Sequence, residues 1–443
     1  MTSSAVSMIR SRRSGSVRRV PTVSKPPLVL RVRTSVQSLC TYVRIDRGGM
    51  SRANARWRWG LYALAFTMGM SIASWVTRTP AIRDAVSAST SEMGIVLFGL
   101  SAGSMIGILA AGVWVHRVGI RPLLVTGTGL LVLGLAVVAT GVLLALGAGV
   151  FAGLFLFGLG MGAAEVALNV SGAVYETTTG HTNMTLLHGM YSLGTLIGAL
   201  LGFAAVATGL PVAAHIAVMT GLVAVTAVRV IGWIPARSGQ AEGKPRWRDQ
   251  ARVWTDRRVV LIGLIVLALA LAEGSANDWL PLLMVDGYGL DATAGSVAFT
   301  AFAAMMTIGR FTGTPLLRRF GRALVLRVAI AVTAAGLVLM VFAPNAILSG
   351  VAVVLWGLGA SLGFPVGISA AGEHPDNPAA RVSAVATAGY VALLAGPPAL
   401  GFLGEEFGLR TAMLLVLVLV SAAALCTGAL RPVRSSEELQ TTR

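Results

Sequence analysis

A chain of 443 residues that is 55% hydrophobic and 12% charged, with a mean hydropathy of +0.77, is too apolar for a soluble globular protein. Its formal net charge of +17 raises nucleic acid as a partner, but the basic residues gather in short loops between apolar runs, where membrane proteins keep them, so no nucleic-acid role is expected. Cys40 and Cys426 stand far apart without metal or redox spacing and read as inert thiols.

Residues 1–50 are rich in Arg and Ser, carry one acid (Asp46), and have neither apolar periodicity nor a signal-peptide core; they read as a disordered basic tail outside the fold. Met50, just ahead of the first apolar run, reads as a natural start, so residues 1–49 are expected to be missing from the working protein. About twelve apolar runs near the length that crosses ~30 Å of hydrocarbon then follow, at approximately 57–77, 90–114, 121–145, 149–173, 184–208, 211–233, 259–283, 292–316, 322–342, 346–368, 379–404 and 408–430. Only helices satisfy their own backbone at that length in lipid, so the expected fold is an all-α membrane protein.

The even-to-odd loops hold Arg117 and Arg121, the stretch from Arg237 to Arg258, then Arg318, Arg319, Arg322, Arg327 and Arg381, while the opposite loops hold only Arg78, Arg83 and Arg410. This asymmetry puts both termini in the cytoplasm, in a plasma or inner cell membrane. The polar stretch 235–258 separates an N-terminal half (51–234) from a C-terminal half (259–430), with a cytoplasmic tail at 431–443. It reads as a linker, either an ordinary solvated loop or one with a short surface helix from Trp247 to Trp254. Gly107, Arg117 and Gly119 recur as Gly309, Arg319 and Gly321, and Gly158-Leu-Gly recurs as Gly357-Leu-Gly. Matching positions in matching runs argue for two homologous six-helix halves about a pseudo-two-fold axis.

Chemistry concentrates in the fourth run, where Glu165 and Asn169 lie four residues apart on one helix face. A carboxylate at such depth costs roughly 2.5–3.5 kcal/mol on insertion scales, so Glu165 is expected to face a cavity rather than lipid. Burial makes a carboxylate take up a proton more readily, which suits proton coupling; the alternative is an acid permanently paired with an arginine. His188 in the fifth run is a second candidate, as a neutral hydrogen-bonding group or a titrating one. Glu273 and Asp278 in the seventh run are proton-coupling candidates roughly 140° apart around a helix, so one is expected to face the cavity and the other to pair elsewhere, with Asp278, beside Trp279, chosen for the cavity ahead of Glu273. Arg78 is the partner expected for Asp278. Trp75 and Trp279 read either as stacking faces at a cavity mouth or as an interfacial belt. Gly363-Phe-Pro365-Val-Gly367 and Gly396-Pro-Pro398 put helix-breaking residues in the tenth and eleventh runs, as bending points for a moving gate. Neither a P-loop nor a catalytic or metal-ligand spacing is legible, so the chain is not expected to be an enzyme and no cofactor is expected beyond a proton gradient as energy source.

Gly112-Val-Trp-Val-His116-Arg117-Val-Gly119-Ile-Arg121 resembles the loop 2–3 motif of the major facilitator superfamily, and Gly309-Arg310 through Arg318-Arg319-Phe-Gly321-Arg322 resembles its second-half counterpart. The resemblance spans about residues 57–430 and implies that family's fold, with twelve helices in two halves and alternating access between them. His116 and Arg318 stand where the motif normally has an acid, so the usual charge lock is not implied. The remaining motif residues, Gly112, Arg117, Gly119, Arg121, Arg310, Arg319, Gly321 and Arg322, are implied as conformational gate, with Arg310 expected to be structural, pairing with loop groups in the inward-closed state.

Gly158 through Asn169, followed by His188-Gly-Met-Tyr-Ser192, is similar to the fucose permease branch. That likeness implies Glu165 as proton site and Asn169 and His188 as hydrogen-bonding wall. Fucose permeases also carry a first-helix acid that Ser74-Trp75-Val-Thr-Arg78-Thr-Pro80 lacks, so fucose itself is not implied. Trp75, Arg78 and Pro80 together with Asn277-Asp278-Trp279 resemble a branch of sugar-like solute transporters, which adds Trp75, Arg78, Trp279 and Asn277 as substrate contacts. The function expected is a secondary active, proton-coupled transporter of a small polar solute, acting as a monomer in the lipid bilayer. A proton-driven efflux antiporter and a transport-inactive receptor are the alternatives.

Overall fold

The structure is a computed structural model that describes residues 51–181, 183–235, 253–373 and 378–430. Twelve of its helices are long and apolar enough to span a membrane: Arg52–Val76, Thr90–Val115, Ile120–Leu143, Gly147–Thr179, Leu186–Ala207 and Val212–Trp233, then Arg257–Tyr288, Ala292–Phe320, Arg322–Phe342, Ala346–Gly372, Ala380–Phe407 and Leu409–Leu430. The basic tail, most of the stretch considered as a surface helix, the turn at 374–377 and the C-terminal tail lie outside the described residues. Several helices outrun their apolar segments: the fourth continues through Tyr175-Glu-Thr-Thr-Thr, and the seventh to Tyr288. Hydropathy marks hydrocarbon, whereas backbone hydrogen bonding carries the helix on into polar sequence. A short helix, Thr79–Val86, with Pro80 in its first turn, joins the first two spans.

The glycines of the repeat show why it exists. A Cβ at Gly158 would meet the backbone of Leu100 and Ser104 in the second span, and one at Gly160 would meet Gly127 and Leu131 in the third. In the second half Gly357 approaches Phe302 of the eighth span and Gly359 approaches Ala329 and Thr333 of the ninth. Each half thus clamps its central helix between two neighbours by backbone-to-backbone approach, which only glycine permits. Gly119 and Gly321 end the second and eighth spans with φ of 84° and 77°, a left-handed conformation that explains their recurrence.

The tenth span is broken into Ala346–Ala360 and Gly363–Gly372. Pro365 has no N–H and its ring crowds the carbonyl four residues earlier, at Ser361, which is where the helix parts. In the eleventh span the prolines do not interrupt the helix: it runs Pro378–Phe407 through Pro397 and Pro398. There a Cβ at Gly94 of the second span would meet the Pro397 carbonyl at 2.9 Å and the Gly401 Cα at 3.0 Å, so close packing supports the helix where two backbone donors are missing.

The halves meet through the second and eleventh spans and the fifth and eighth. At the end of the bundle bearing the 1–2, 7–8 and 11–12 connections they are fastened together. Arg83 pairs with Asp286 across the seam, the Ser91 backbone N–H donates to Glu405 Oε2 at 3.0 Å, and Ser296 Oγ donates to the Thr77 carbonyl at 3.2 Å. Burial disfavours the Arg83 cation, but hydrogen bonds to Asp286 and Asp84 outweigh it and hold its pKa above the ordinary arginine value. At the other end, where the chain enters the first span and leaves the last, the contacts run within one half. Arg121 donates to the carbonyls of Ile234 (2.7 Å) and Gly232 (2.9 Å), Arg258 to that of Ala429 (3.0 Å), and Arg381 pairs with Asp256 at 2.7 Å. Arg121 and Arg258 therefore sit on the C-terminal carbonyls of the sixth and twelfth spans, where the helix dipole favours cations.

Candidate functional site

Glu165 lies midway along the fourth span, yet its side chain is exposed. It is within electrostatic reach of Tyr191 on the fifth span and Tyr390 on the eleventh, so it borders open space between the two halves and not the outer, lipid-facing surface. Among the described residues it has no hydrogen-bond or ion-pair partner. The alternative of a permanent arginine pair is therefore not what this state contains. Asn169, one turn on, is half-buried.

The second carboxylate of the cluster is Glu273. Arg310 Nη2 donates to Glu273 Oε1 at 2.8 Å, and Arg310 Nη1 donates to Ser192 Oγ at 3.3 Å. One guanidinium thus joins the seventh and eighth spans of one half to the fifth span of the other. Tyr191 is within electrostatic reach of Glu165, Arg310 and Glu273 together. His188, one turn before Ser192, is exposed and in reach of Arg310. On the far side Phe364 and Tyr390 pack with ring centroids 6.2 Å apart and a tilt of 54°. By the repeat register Phe364 is the counterpart of Glu165, so Tyr390 has an aromatic neighbour from its own half and an acidic one from the other.

Several expected site residues lie elsewhere. In this state Arg310, two turns inside the helix, pairs with Glu273, and an unpaired charge at that depth would cost several kcal/mol. Arg78 does not pair with Asp278; its Nη2 donates to the Leu210 carbonyl at 2.5 Å, because the first span ends against the turn between the fifth and sixth. Asp278 is 8% exposed and without a partner among the described residues, facing the packed side of the seventh span as the angular separation from Glu273 requires. Trp75 and Trp279 are at neither a cavity mouth nor an interfacial belt; they are 1% and 0% exposed, and large rings in the inner spans fill the space between helices. Asn277 is half-buried. Of the gate motif, Arg322 pairs with Glu373, Arg319 stacks over Phe320 with its guanidinium 5.2 Å from the ring centroid, Arg117 is exposed, and a Cβ at Gly112 would touch nothing. Tyr191 and Ser192 join the cluster from the motif that carries His188, while Phe364 and Tyr390 belong to it without having been singled out for it. Tyr390 gave no signal beyond being a lone phenol in an apolar run.

Chemically the cluster holds two carboxylates, one guanidinium, an imidazole, an amide and an aromatic wall. Such a set brings hydrogen-bond donors and acceptors together beside a ring face. One carboxylate is paired with a guanidinium and the other has no partner among the described residues. Among the described residues no group of three or more His, Cys, Asp or Glu side chains comes together as a metal site.

The Major Facilitator Superfamily model matches residues 59–392. An MFS-type transporter of Yersinia pestis is 28% identical over 364 residues, covering 81% of this chain and 92% of the relative. The membrane protein MosC of Rhizobium meliloti is 25% identical over 399 residues, covering 86% and 93%. Among solved structures, the nucleoside transporter NupG aligns with a TM-score of 0.68 at 14% identity, covering 85% of this chain and all of that one. The E. coli fucose:proton symporter FucP aligns with a TM-score of 0.62 at 19% identity, covering 86% and 100%. With twelve spans in two six-helix halves and a family match across most of the bundle, the chain belongs to the Major Facilitator Superfamily of membrane transporters.

Proposed function

We propose that the protein is a proton-coupled transporter of a small, neutral, polyhydroxylated solute, sugar-like in chemistry, working by alternating access. The observation that carries this reading is Glu165: an unpaired carboxylate, open to solvent, inside the seam of two bundles and beside an aromatic pair. Arg310, Glu273, Ser192, Asn169 and His188 supply the hydrogen-bonding wall, with Phe364 and Tyr390 as the ring face. The fucose and nucleoside carriers that share the fold have cargoes of the same chemical kind, which supports the class of solute without naming it.

In this reading residues 51–234 and 259–430 are the moving halves, joined by 235–258 in the cytoplasm of the cell membrane, and the protein works as a monomer on the proton gradient without a cofactor. The arginine asymmetry orients both termini inward. The end closed by Arg83–Asp286 and Ser91–Glu405 then faces outward, and the conformation is inward-open. The test begins with a thermal-stabilisation screen of the purified protein against neutral sugars and nucleosides, followed by uptake of the stabilising solute into proteoliposomes. Glu165→Gln is expected to abolish accumulation driven by an imposed pH gradient while solute exchange at equal pH persists. Uphill uptake at the wild-type level by that variant would remove Glu165 from coupling.

A further inference from the structure

Away from the central cluster, the fastened end of the bundle contains a cation without a counter-charge among the described residues. Arg78 is 5% exposed, it has no ion pair among the described residues, its one side-chain hydrogen bond there goes to the Leu210 carbonyl, and its Nε has no acceptor. Burial with no acid beside it lowers its pKa. His215, in the first turn of the sixth span, is 4% exposed with both ring nitrogens unpartnered, and it is in electrostatic reach of Arg78, so the region has donors in surplus and no anion. Burying a lone guanidinium costs several kcal/mol, and such residues are retained where something binds them. A cavity of about 290 Å³ adjoins it, lined by Thr77, Arg78, Ala81, Gly209, Leu210 and Ala292 among others.

We propose that this cavity binds a small monovalent anion, either a free ion such as chloride or acetate or the phosphate of an anionic lipid headgroup, with Arg78 as its counter-charge. Ala292 comes from the second half and the Ser296–Thr77 hydrogen bond crosses the seam beside it, so a bound anion touches both halves and favours the fastened state. The site is separate from the proton-carrying role assigned to Glu165, and its test does not depend on knowing the transported solute.

The purified full chain is unfolded thermally in detergent at constant ionic strength, with bulky HEPES anion replaced stepwise by chloride or acetate, and in a second arm in nanodiscs with and without phosphatidylglycerol. The wild type is expected to gain about 3 °C saturably in one of the arms. Arg78→Gln is expected to lose that gain, and Ala81→Leu, which fills the cavity and leaves the cation, to reduce it. A gain with chloride or acetate assigns a free ion, and a gain with phosphatidylglycerol alone assigns a headgroup. No gain in either arm, or an equal gain in both variants, overturns the proposal.

Discussion

The fourth and tenth spans occupy the same place in their halves and divide one inheritance in two. Both present glycines to the same pair of neighbours, Gly158 and Gly160 in one and Gly357 and Gly359 in the other, so the packing role is shared. Their cavity faces are not: Glu165 and Asn169 stand where the tenth span has Phe364 and Ile368. The fourth is a single helix of 33 residues, whereas the tenth parts at Ser361 and Leu362. Symmetry is thus kept where backbones touch and given up where solvent enters. One half contributes a free acid on an unbroken rod and the other an aromatic face on a helix with a joint.

The shared part of this comparison breaks most severely. Gly160→Val and Gly359→Val each force a side chain against backbone in the adjacent span, and each is expected to cost about 3 kcal/mol, seen as matching losses of thermal stability in detergent. A large loss for one and none for the other would mean that the two clamps are not equivalent. The unshared part is sharpened by Phe364→Ala, which removes the ring beside Tyr390. It is expected to weaken solute affinity about 3- to 10-fold in a binding titration while leaving the pH dependence of uptake in place.

The smallest effect is expected where the halves differ at the end bearing the chain termini. Both halves seat an arginine on helix carbonyls there, Arg121 in the first and Arg258 in the second, and among the described residues the second adds the Arg381–Asp256 pair. Burial works against ionised Asp256, yet its hydrogen bonds with Arg381 and the Arg258 backbone N–H outweigh it and hold its carboxyl below the usual range. A depressed folded pKa contributes stability above the unfolded value, near 3.9 for aspartate, and loses it as pH falls through the folded value. Asp256→Asn is therefore expected to cost roughly 0.5–1 kcal/mol at pH 7, and the gap from wild type to shrink below about pH 4, in unfolding measured across pH.

Much of this was legible from the residues alone. Apolar length marked every span, recurring glycines marked the two clamps, and the four-residue interval from Glu165 to Asn169 put both on one face. The angular separation of Glu273 and Asp278 was legible too, but not which of them faces the cluster: Asp278, the one chosen, is packed away, and Glu273 pairs with Arg310. Partnerships between helices were not legible, because spacing gives the direction of a side chain from its own axis and not which neighbour stands there. Hence Arg310 found Glu273, Arg78 found a carbonyl in place of Asp278, and the two tryptophans turned inward. Pro365 announced its break, whereas Pro397 and Pro398 did not break their helix, since the packing of Gly94 against them is invisible in a local stretch of sequence.

The account rests on solvent reaching position 165 alternately from the two faces of the bilayer. Glu165→Cys, made in a background with Cys40 and Cys426 replaced by serine, puts a thiol there for a membrane-impermeant reagent applied to right-side-out or inverted vesicles. Rapid labelling from the face bearing the termini, with slower labelling from the face fastened by Arg83 and Asp286, is the predicted result. A thiol that neither face can label, or that only a lipid-soluble reagent finds, would contradict it.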